Sequence, residues 1–283
     1  MSDINRLTPR ILTAIDFSLP SERAFLHALS LAVAQKARLT MLHIGPESRK
    51  EVPWEQYPGV QETLIRWGML DADSPKTDVG DKLSVGIKKM AMRDDDPYNG
   101  MVDYLRKRPT DLLVMTTEAR RGFSRLSHSS VAEGVAYTSH CHALLLPVDA
   151  HSFIDTDSGI RNIKKVIFVY DHEPDPRLAF TWLNEWLPVF SDTPIEVHAL
   201  YIGNEEDEPE IALPKHPGLE WRRITREGKA LKVILDYADE IDADLLSIMN
   251  QRSKGFIGRL RGSLGEQLLR QSHRPLLLMP MLK

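Results

Sequence analysis

Two aspartates and two serine-containing turns are the residues of this sequence best placed to bind a ligand. Asp16 and Asp171 each follow a short apolar run, and Ser130 and the pair Gly262-Ser263 each begin an amphipathic segment. A carboxylate after a buried strand can accept hydrogen bonds from a sugar hydroxyl or cap the next helix. A Gly-Ser turn can place backbone N–H groups around a phosphate at a helix N-terminus. The arrangement favours a phosphorylated ligand, and capping stays open as an alternative.

The serines of both turns also have a structural interpretation. Ser130 with Glu133, and Ser263 with Glu266, have the spacing of a capping box. Other N–H groups of the same helical turn would remain available to an anion. The neighbouring cations either hold such an anion or are simply solvated; they are Arg120, Arg121, Arg125, Arg252, Lys254, Arg259 and Arg261.

Other groups of reactive residues do not have the spacing that their chemistry needs. His140, Cys141 and His142 are adjacent, but no second cysteine or carboxylate stands at ligand spacing from them. The acidic run 94–96 lacks the pattern of a calcium loop and is predicted to place negative charge at a helix N-terminus. No Ser-His-Asp array or phosphate-binding Gly-Lys-Ser motif is present. We therefore predict no metal site and no enzymatic activity.

An internal repeat organises the elements that position these residues. Blocks at 111–115, 130–133 and 139–140 recur at a constant offset, at 244–248, 263–266 and 272–273. In each copy, short apolar runs alternate with segments of helical period. This alternation predicts an α/β fold with two tandem, doubly wound, mostly parallel sheets of five strands each.

Two domains are predicted, one over 1–150 and the other over 160–283. The first contains a long insertion at 46–82 with Trp54, Tyr57 and Trp67. Long insertions are often lids or partner surfaces, and the alternative is that these aromatic residues only pack on the domain. The shorter acidic counterpart at 205–208 is predicted to be a solvated loop.

Composition and charge limit the classes of partner. A formal net charge of -4 gives no global positive field for nucleic acid or an anionic membrane. The single cysteine, Cys141, excludes an intrachain disulfide and fits a reducing compartment. The apolar runs are short for a membrane helix, and the first residues have no signal-peptide pattern. We expect a cytoplasmic protein that binds neither nucleic acid nor membranes.

Both copies resemble the universal stress protein (UspA-like) family. The resemblance covers nearly all of both copies and is carried in the first by 11–18, 39–44, 110–115 and 142–148. It implies an adenine nucleotide alpha hydrolase-like fold, a role in the stress response, and pairing of domains through their last strands. Here 143–148 and 275–279 could pair within one chain as a pseudo-dimer, and a further homodimer stays open.

Family members that bind ATP have three glycines in the loop after the fourth strand, the last followed by Ser or Thr. The second copy keeps Gly262-Ser263, but Met249 and Arg252 stand at the other two glycine positions. The first copy has none of the three glycines, and its corresponding residues are Thr116, Ala119, Ser129 and Ser130. The resemblance therefore implies ATP as a weak candidate in the second copy and a poorer one in the first.

Two functions stay open at this stage. The first is a stress-response protein with degenerate nucleotide-binding loops and a regulatory or binding role. The second is an ATP- or AMP-binding protein that uses the cleft of the second copy. The lost glycines favour the first function. Slow ATP hydrolysis is an enzymatic alternative for which the sequence offers no base or nucleophile.

Overall fold

The computed structural model describes residues 8–46, 51–117, 131–249 and 263–280. The first copy consists of β1 (Arg10–Ala14), α1 (Leu19–Gln35), β2 (Arg38–Gly45), α2 (Val60–Arg66), α3 (Asp78–Asp81), β3 (Gly86–Arg93), α4 (Pro97–Lys107), β4 (Leu112–Thr117), α5 (Val131–Thr138) and β5 (His142–Pro147). The second consists of β6 (Lys165–Tyr170), α6 (Arg177–Trp186), β7 (Ile195–Ile202), β8 (Leu219–Arg226), α7 (Ala230–Ile241), β9 (Leu245–Met249), α8 (Leu264–Gln271) and β10 (Leu276–Met279).

The strands of both copies form one sheet in the order β3-β2-β1-β4-β5-β10-β9-β6-β7-β8. Neighbouring strands within each copy are parallel, which confirms the predicted α/β class. The two predicted five-stranded sheets are joined edge to edge, because β5 and β10 pair antiparallel with Leu145 opposite Leu276 and Ala143 opposite Leu278. The predicted pairing of the two final strands is therefore confirmed.

Apolar runs and capping residues account for the individual elements. Every residue of β5 and β10 is buried, as expected for strands covered on both faces. Helix α1 begins after Ser18, whose hydroxyl accepts a hydrogen bond from the N–H of Ser21, and it ends at Lys36 in the left-handed conformation. Helix α6 ends at Trp186, and the chain continues as a 3-10 turn that contains Pro188. No helix in the described ranges is long and apolar enough to cross a membrane.

The aromatic residues of the insertion pack on the first copy. Tyr57 and Trp67 are buried in the same apolar core as α1. The ring of Tyr57 lies 5.6 Å from that of Phe25, centroid to centroid. The indole N–H of Trp67 donates to the carbonyl oxygen of Thr156 at 3.0 Å, so the insertion also holds the segment between the copies. The packing interpretation of these aromatics is confirmed.

Two buried histidines stabilise contacts that cross between parts of the chain. His27 of α1 lies 2.7 Å from the carbonyl oxygen of Arg23 through Nδ1, and its ring packs on Phe153 of the connecting segment at 4.6 Å. His142 of β5 stacks on Trp182 of α6 with ring centroids 3.8 Å apart. Burial lowers the pKa of His27 to about 3 and that of His142 to about 4. Both imidazoles are therefore neutral at pH values where an exposed histidine is already protonated.

We expect the free energy of unfolding to fall as the pH drops from about 6.5 towards 4, because unfolded histidines bind protons near pH 6.5 and the buried ones do not. The contribution of His142 is complete above pH 6.5 and is lost as the pH falls towards its folded pKa. Between about pH 7 and about pH 5 the loss of this contribution amounts to about 2 kcal/mol of the free energy of unfolding. Urea unfolding at the two pH values measures this effect. The free energy of unfolding of His142→Gln should fall by about 2 kcal/mol less than that of the unchanged protein. An equal fall in both proteins would contradict the prediction.

Candidate functional site

The carboxyl ends of the strands form one crevice in each copy. The strand order reverses between β1 and β4 and between β6 and β9, which is where open α/β sheets bind ligands. Asp16 follows β1 and Asp171 follows β6, so the structure places both predicted aspartates at these crevices. Other predicted residues lie outside the described part of the chain: Ser130, Gly262, Ala119, Ser129, Arg120, Arg121, Arg125, Arg252, Lys254, Arg259 and Arg261.

Asp16 holds the start of α1 through Ser18. Its Oδ1 accepts hydrogen bonds from the backbone N–H of Ser18 at 3.0 Å and from the Ser18 hydroxyl at 2.5 Å. Partial burial would raise the pKa of Asp16, but the hydrogen bonds from Ser18 outweigh it and keep the pKa below its ordinary value. Ser18 is the capping residue of α1, so Asp16 orients the cap. This role occupies one of its two carboxylate oxygens.

Aromatic rings gather around Phe17, the residue after Asp16, at the crevice of the first copy. Phe17 adopts a left-handed backbone conformation with φ of 62°, and its ring lies 4.9 Å from that of His43. The rings of Trp54 and Tyr57, both from the insertion, lie 5.5 and 5.7 Å from Phe17. We call these four residues the Phe17 cluster. Trp54 and Tyr57 meet the Phe17 ring edge to face, an arrangement that is favourable for aromatic pairs.

The crevice of the second copy is polar and acidic. Asp171 is exposed, and its Oδ1 accepts a hydrogen bond from the N–H of His172 at 2.7 Å. His172 lies with Nε2 2.5 Å from the carbonyl oxygen of Asp207, which connects the loop after β6 to the loop after β7. Asp171 therefore has one carboxylate oxygen that accepts no hydrogen bond from the residues that the structure describes, and its loop is tied to the next by His172.

Glu208 is fixed in this crevice by three side chains. Its carboxylate accepts hydrogen bonds from the Tyr170 hydroxyl, from Thr225 Oγ1 at 2.6 Å and from Arg223 at 2.9 Å, and its side chain is only 8% exposed. Burial would raise the pKa of Glu208, and the donors of Thr225, Tyr170 and Arg223 outweigh this effect and lower it. Residues 205–207 are exposed, as predicted for a solvated loop. The prediction is wrong for Glu208, because donors from β6 and β8 converge on its carboxylate.

Ser263 caps the last helix and also contacts the first copy. Its hydroxyl oxygen accepts a hydrogen bond from the N–H of Glu266 at 3.2 Å, which confirms the predicted capping role. The same hydroxyl donates to the hydroxyl of Tyr137, which lies in α5, at 3.1 Å. Burial raises the pKa of Tyr137 to about 12. The turn that was predicted to hold a phosphate is thus in contact with a neutral phenol from the other copy.

Gly265 is required by this contact. A Cβ at position 265 would lie 2.2 Å from the Tyr137 hydroxyl oxygen and 3.0 Å from Cδ1 of Ile248. No pattern around residue 137 predicted its role, since the contact joins distant parts of the chain. The one indication in the sequence is the glycine at position 265, directly after the first residue of α8, because a glycine there lets another group approach the backbone closely.

Met249 and the residues around Cys141 are part of the packed interior. Met249 ends β9, and its side chain packs against the apolar core where ATP-binding relatives were expected to have a glycine. Cys141 is buried, its Sγ donates to Ser139 Oγ at 3.4 Å, and burial raises its pKa to about 11. Across the ranges that the structure describes, no group of three or more His, Cys, Asp or Glu side chains could hold a metal ion.

The sequence model of the universal stress protein family matches residues 8–147 and 166–280, one match in each copy. The chain therefore belongs to the universal stress protein family.

Solved structures share the fold of this chain along nearly its whole length. The chain is similar to a universal stress protein from Archaeoglobus fulgidus DSM 4304, with 17% identity, 96% of each chain covered and a TM-score of 0.62. A functionally unknown protein from Pseudomonas aeruginosa PAO1 has 12% identity over 97% of this chain and 93% of its own, with a TM-score of 0.59. At these identities the likeness shows the fold alone. Among curated proteins, none matches the chain.

A single-domain universal stress protein solved in complex with cAMP matches half of the present chain. The identity is 16%, the match covers 50% of this chain and 97% of the other, and the TM-score is 0.37.

We expect Gly265→Ala to lower the free energy of unfolding of this universal stress protein by about 1–3 kcal/mol, because the added methyl group overlaps the Tyr137 hydroxyl. In a Tyr137→Ala background the same substitution should cost much less, since the clash is gone. A double-mutant cycle by urea unfolding measures this coupling. Additive effects of the two substitutions would show that Tyr137 does not restrict position 265.

We expect Glu208→Ala to lower the free energy of unfolding by about 1–3 kcal/mol, because it leaves the Tyr170 and Thr225 hydroxyls without this acceptor and removes the ion pair with Arg223. The matched variant Glu206→Ala removes an exposed carboxylate of the same loop and should change stability by less than about 0.5 kcal/mol. Chemical denaturation of both variants checks this, and equal effects would contradict it.

Proposed function

We propose that this universal stress protein acts in the stress response as a non-catalytic regulatory or binding protein whose two family clefts do not bind ATP. The observation that carries the proposal is the character of the described side chains beside Asp16 and Asp171, which are aromatic in the first copy and mainly acidic in the second. We place the protein in the cytoplasm, since Cys141 is a free, buried thiol of the kind that a reducing compartment preserves.

In the second copy, negative charge opposes a polyphosphate ligand. Asp171, Glu205, Glu206 and Asp207 are exposed near the buried carboxylate of Glu208, and Arg223 is already paired with Glu208. A triphosphate brought to this crevice would meet several like charges, and the cation that contacts Glu208 is already paired with it. The local field therefore disfavours ATP.

In the first copy, bulky aromatic side chains oppose the binding of a nucleotide. The Phe17 cluster covers the end of β2, and Tyr57 is buried at its base with its hydroxyl 3.4 Å from that of Ser21. A planar base could enter only if these rings moved apart, at the cost of their mutual contacts. The absence of the family glycines from the sequence of both loops supports the same conclusion.

The alternative is an ATP- or AMP-binding protein that uses the second copy. Ser263 at the N-terminus of α8 favours it, because its cap satisfies one backbone donor and leaves others of the first turn available to an anion. The contact with Tyr137 weighs against it, since it uses the same hydroxyl that would otherwise face the phosphate.

A thermal shift assay with Mg-ATP and with AMP distinguishes the two functions. A ligand at 100 times its dissociation constant stabilises a native protein by about 2.7 kcal/mol. We expect no shift at millimolar nucleotide. A shift that Ser263→Leu abolishes, in a variant that still unfolds cooperatively, would overturn the proposal and establish the alternative.

A further inference from the structure

A cavity of about 570 Å³ lies between the insertion and β3, an edge strand of the sheet. Its walls come from the start of α2, from α3 and from the first half of β3. It is therefore separate from the crevices at the carboxyl ends of the strands. Its volume is within the range of roughly 300–1,000 Å³ that is usual for small-molecule sites.

The inner wall of this cavity is apolar. Val60 and Val79 from the insertion and Val85 just before β3 are buried, and Ile87 of β3 is partly buried beside them. These four side chains belong to, or pack on, the core of the first copy. An apolar surface fixed by two helices and a strand can accept the hydrocarbon part of a ligand without rearrangement.

The outer wall carries positive charge. Lys76 and Lys89 line the cavity and are exposed, and neither has a carboxylate within ion-pairing distance among the described residues. Lys82 of the same insertion, in contrast, is paired with Asp78 at 2.9 Å. The carboxylate of Glu62 accepts a hydrogen bond from the N–H of Gly59 at 3.3 Å.

The position of Lys89 is further defined by Trp54. Its Nζ lies 5.4 Å from the centre of the indole ring, a cation–π contact that holds the ammonium group on this face of β3. Lys88, the preceding residue of the strand, points to the opposite face because side chains alternate along a strand. The cavity thus combines an apolar wall with two cations against one carboxylate.

We propose that this cavity binds an amphipathic organic anion, such as a medium-chain carboxylate. The hydrocarbon part lies against Val60, Val79, Val85 and Ile87, and the anionic group lies between Lys76 and Lys89. The site is a property of the first copy, since the connection between β7 and β8 of the second is shorter. It does not depend on whether the family crevices bind nucleotide.

Calorimetric titration of the full chain tests the charge preference. Decanoate, kept below its micelle concentration, should bind at least about tenfold more tightly than decylamine, which carries the opposite charge on the same chain. Equal affinities, or no binding of decanoate at millimolar concentration, would overturn the proposal.

Variants locate the site. The double variant Lys76→Ala/Lys89→Ala should weaken decanoate binding about tenfold or more, as expected for the loss of charge-assisted hydrogen bonds. Lys88→Ala is the matched control and should bind like the unchanged protein. If Lys88→Ala weakens binding as much as the double variant, the lysines act only through overall charge and the proposed site is wrong.

Gly80 allows a test of the cavity itself. It lines the cavity, and a Cβ built there meets no atom within 4 Å, so a larger side chain is compatible with the backbone. Gly80→Leu should abolish decanoate binding while the thermal unfolding temperature stays close to that of the unchanged protein. Unaltered decanoate affinity in this variant would place the ligand elsewhere and reject the proposal.

Discussion

The antiparallel pairing of β5 with β10 joins the two copies, and the other contacts between them depend on it. Both strands are buried along their whole length, so an unpaired edge would leave backbone donors and acceptors without partners and away from water. Their register brings the helices that precede them, α5 and α8, to the same region, where Tyr137 meets Ser263. It also places His142 against Trp182. The interface is therefore part of the folded core and not a contact between two finished domains.

The two copies place different side chains at corresponding crevices. In a symmetric dimer of identical chains, each substitution appears twice and must suit both sites. In this chain the segment after β2 supplies aromatic rings. The segment after β7 supplies Glu208 instead, which binds Tyr170 of β6 and Thr225 of β8. The Tyr137 contact is similarly one-sided, because the first copy provides the phenol and the second provides the glycine that accommodates it.

Much of the fold could be predicted because its elements are coded locally. Short apolar runs indicated the strands, and the central strands β5 and β10 are buried along their whole length. The pairing of the final strands followed from the family resemblance and not from any local pattern. Glu208 could not be distinguished from its acidic neighbours, because the difference lies in Arg223 and Thr225, which reach it from another strand. The role of a side chain whose partners are distant in the sequence can be recognised only when the arrangement of the strands is known.

The two outer strands explain why the sheet ends where it does. An edge strand exposes unpaired backbone groups, and charged side chains on it oppose the addition of a further strand. Lys88 and Lys89 occupy the middle of β3, and Glu220, Arg222 and Arg223 occupy β8. The central pair β5 and β10 has only apolar residues at its facing positions, Ala143, Leu144 and Leu145 against Leu276, Leu277 and Leu278. Strand pairing is thus favoured at the edge where the two copies meet and opposed at the outer edge of each half.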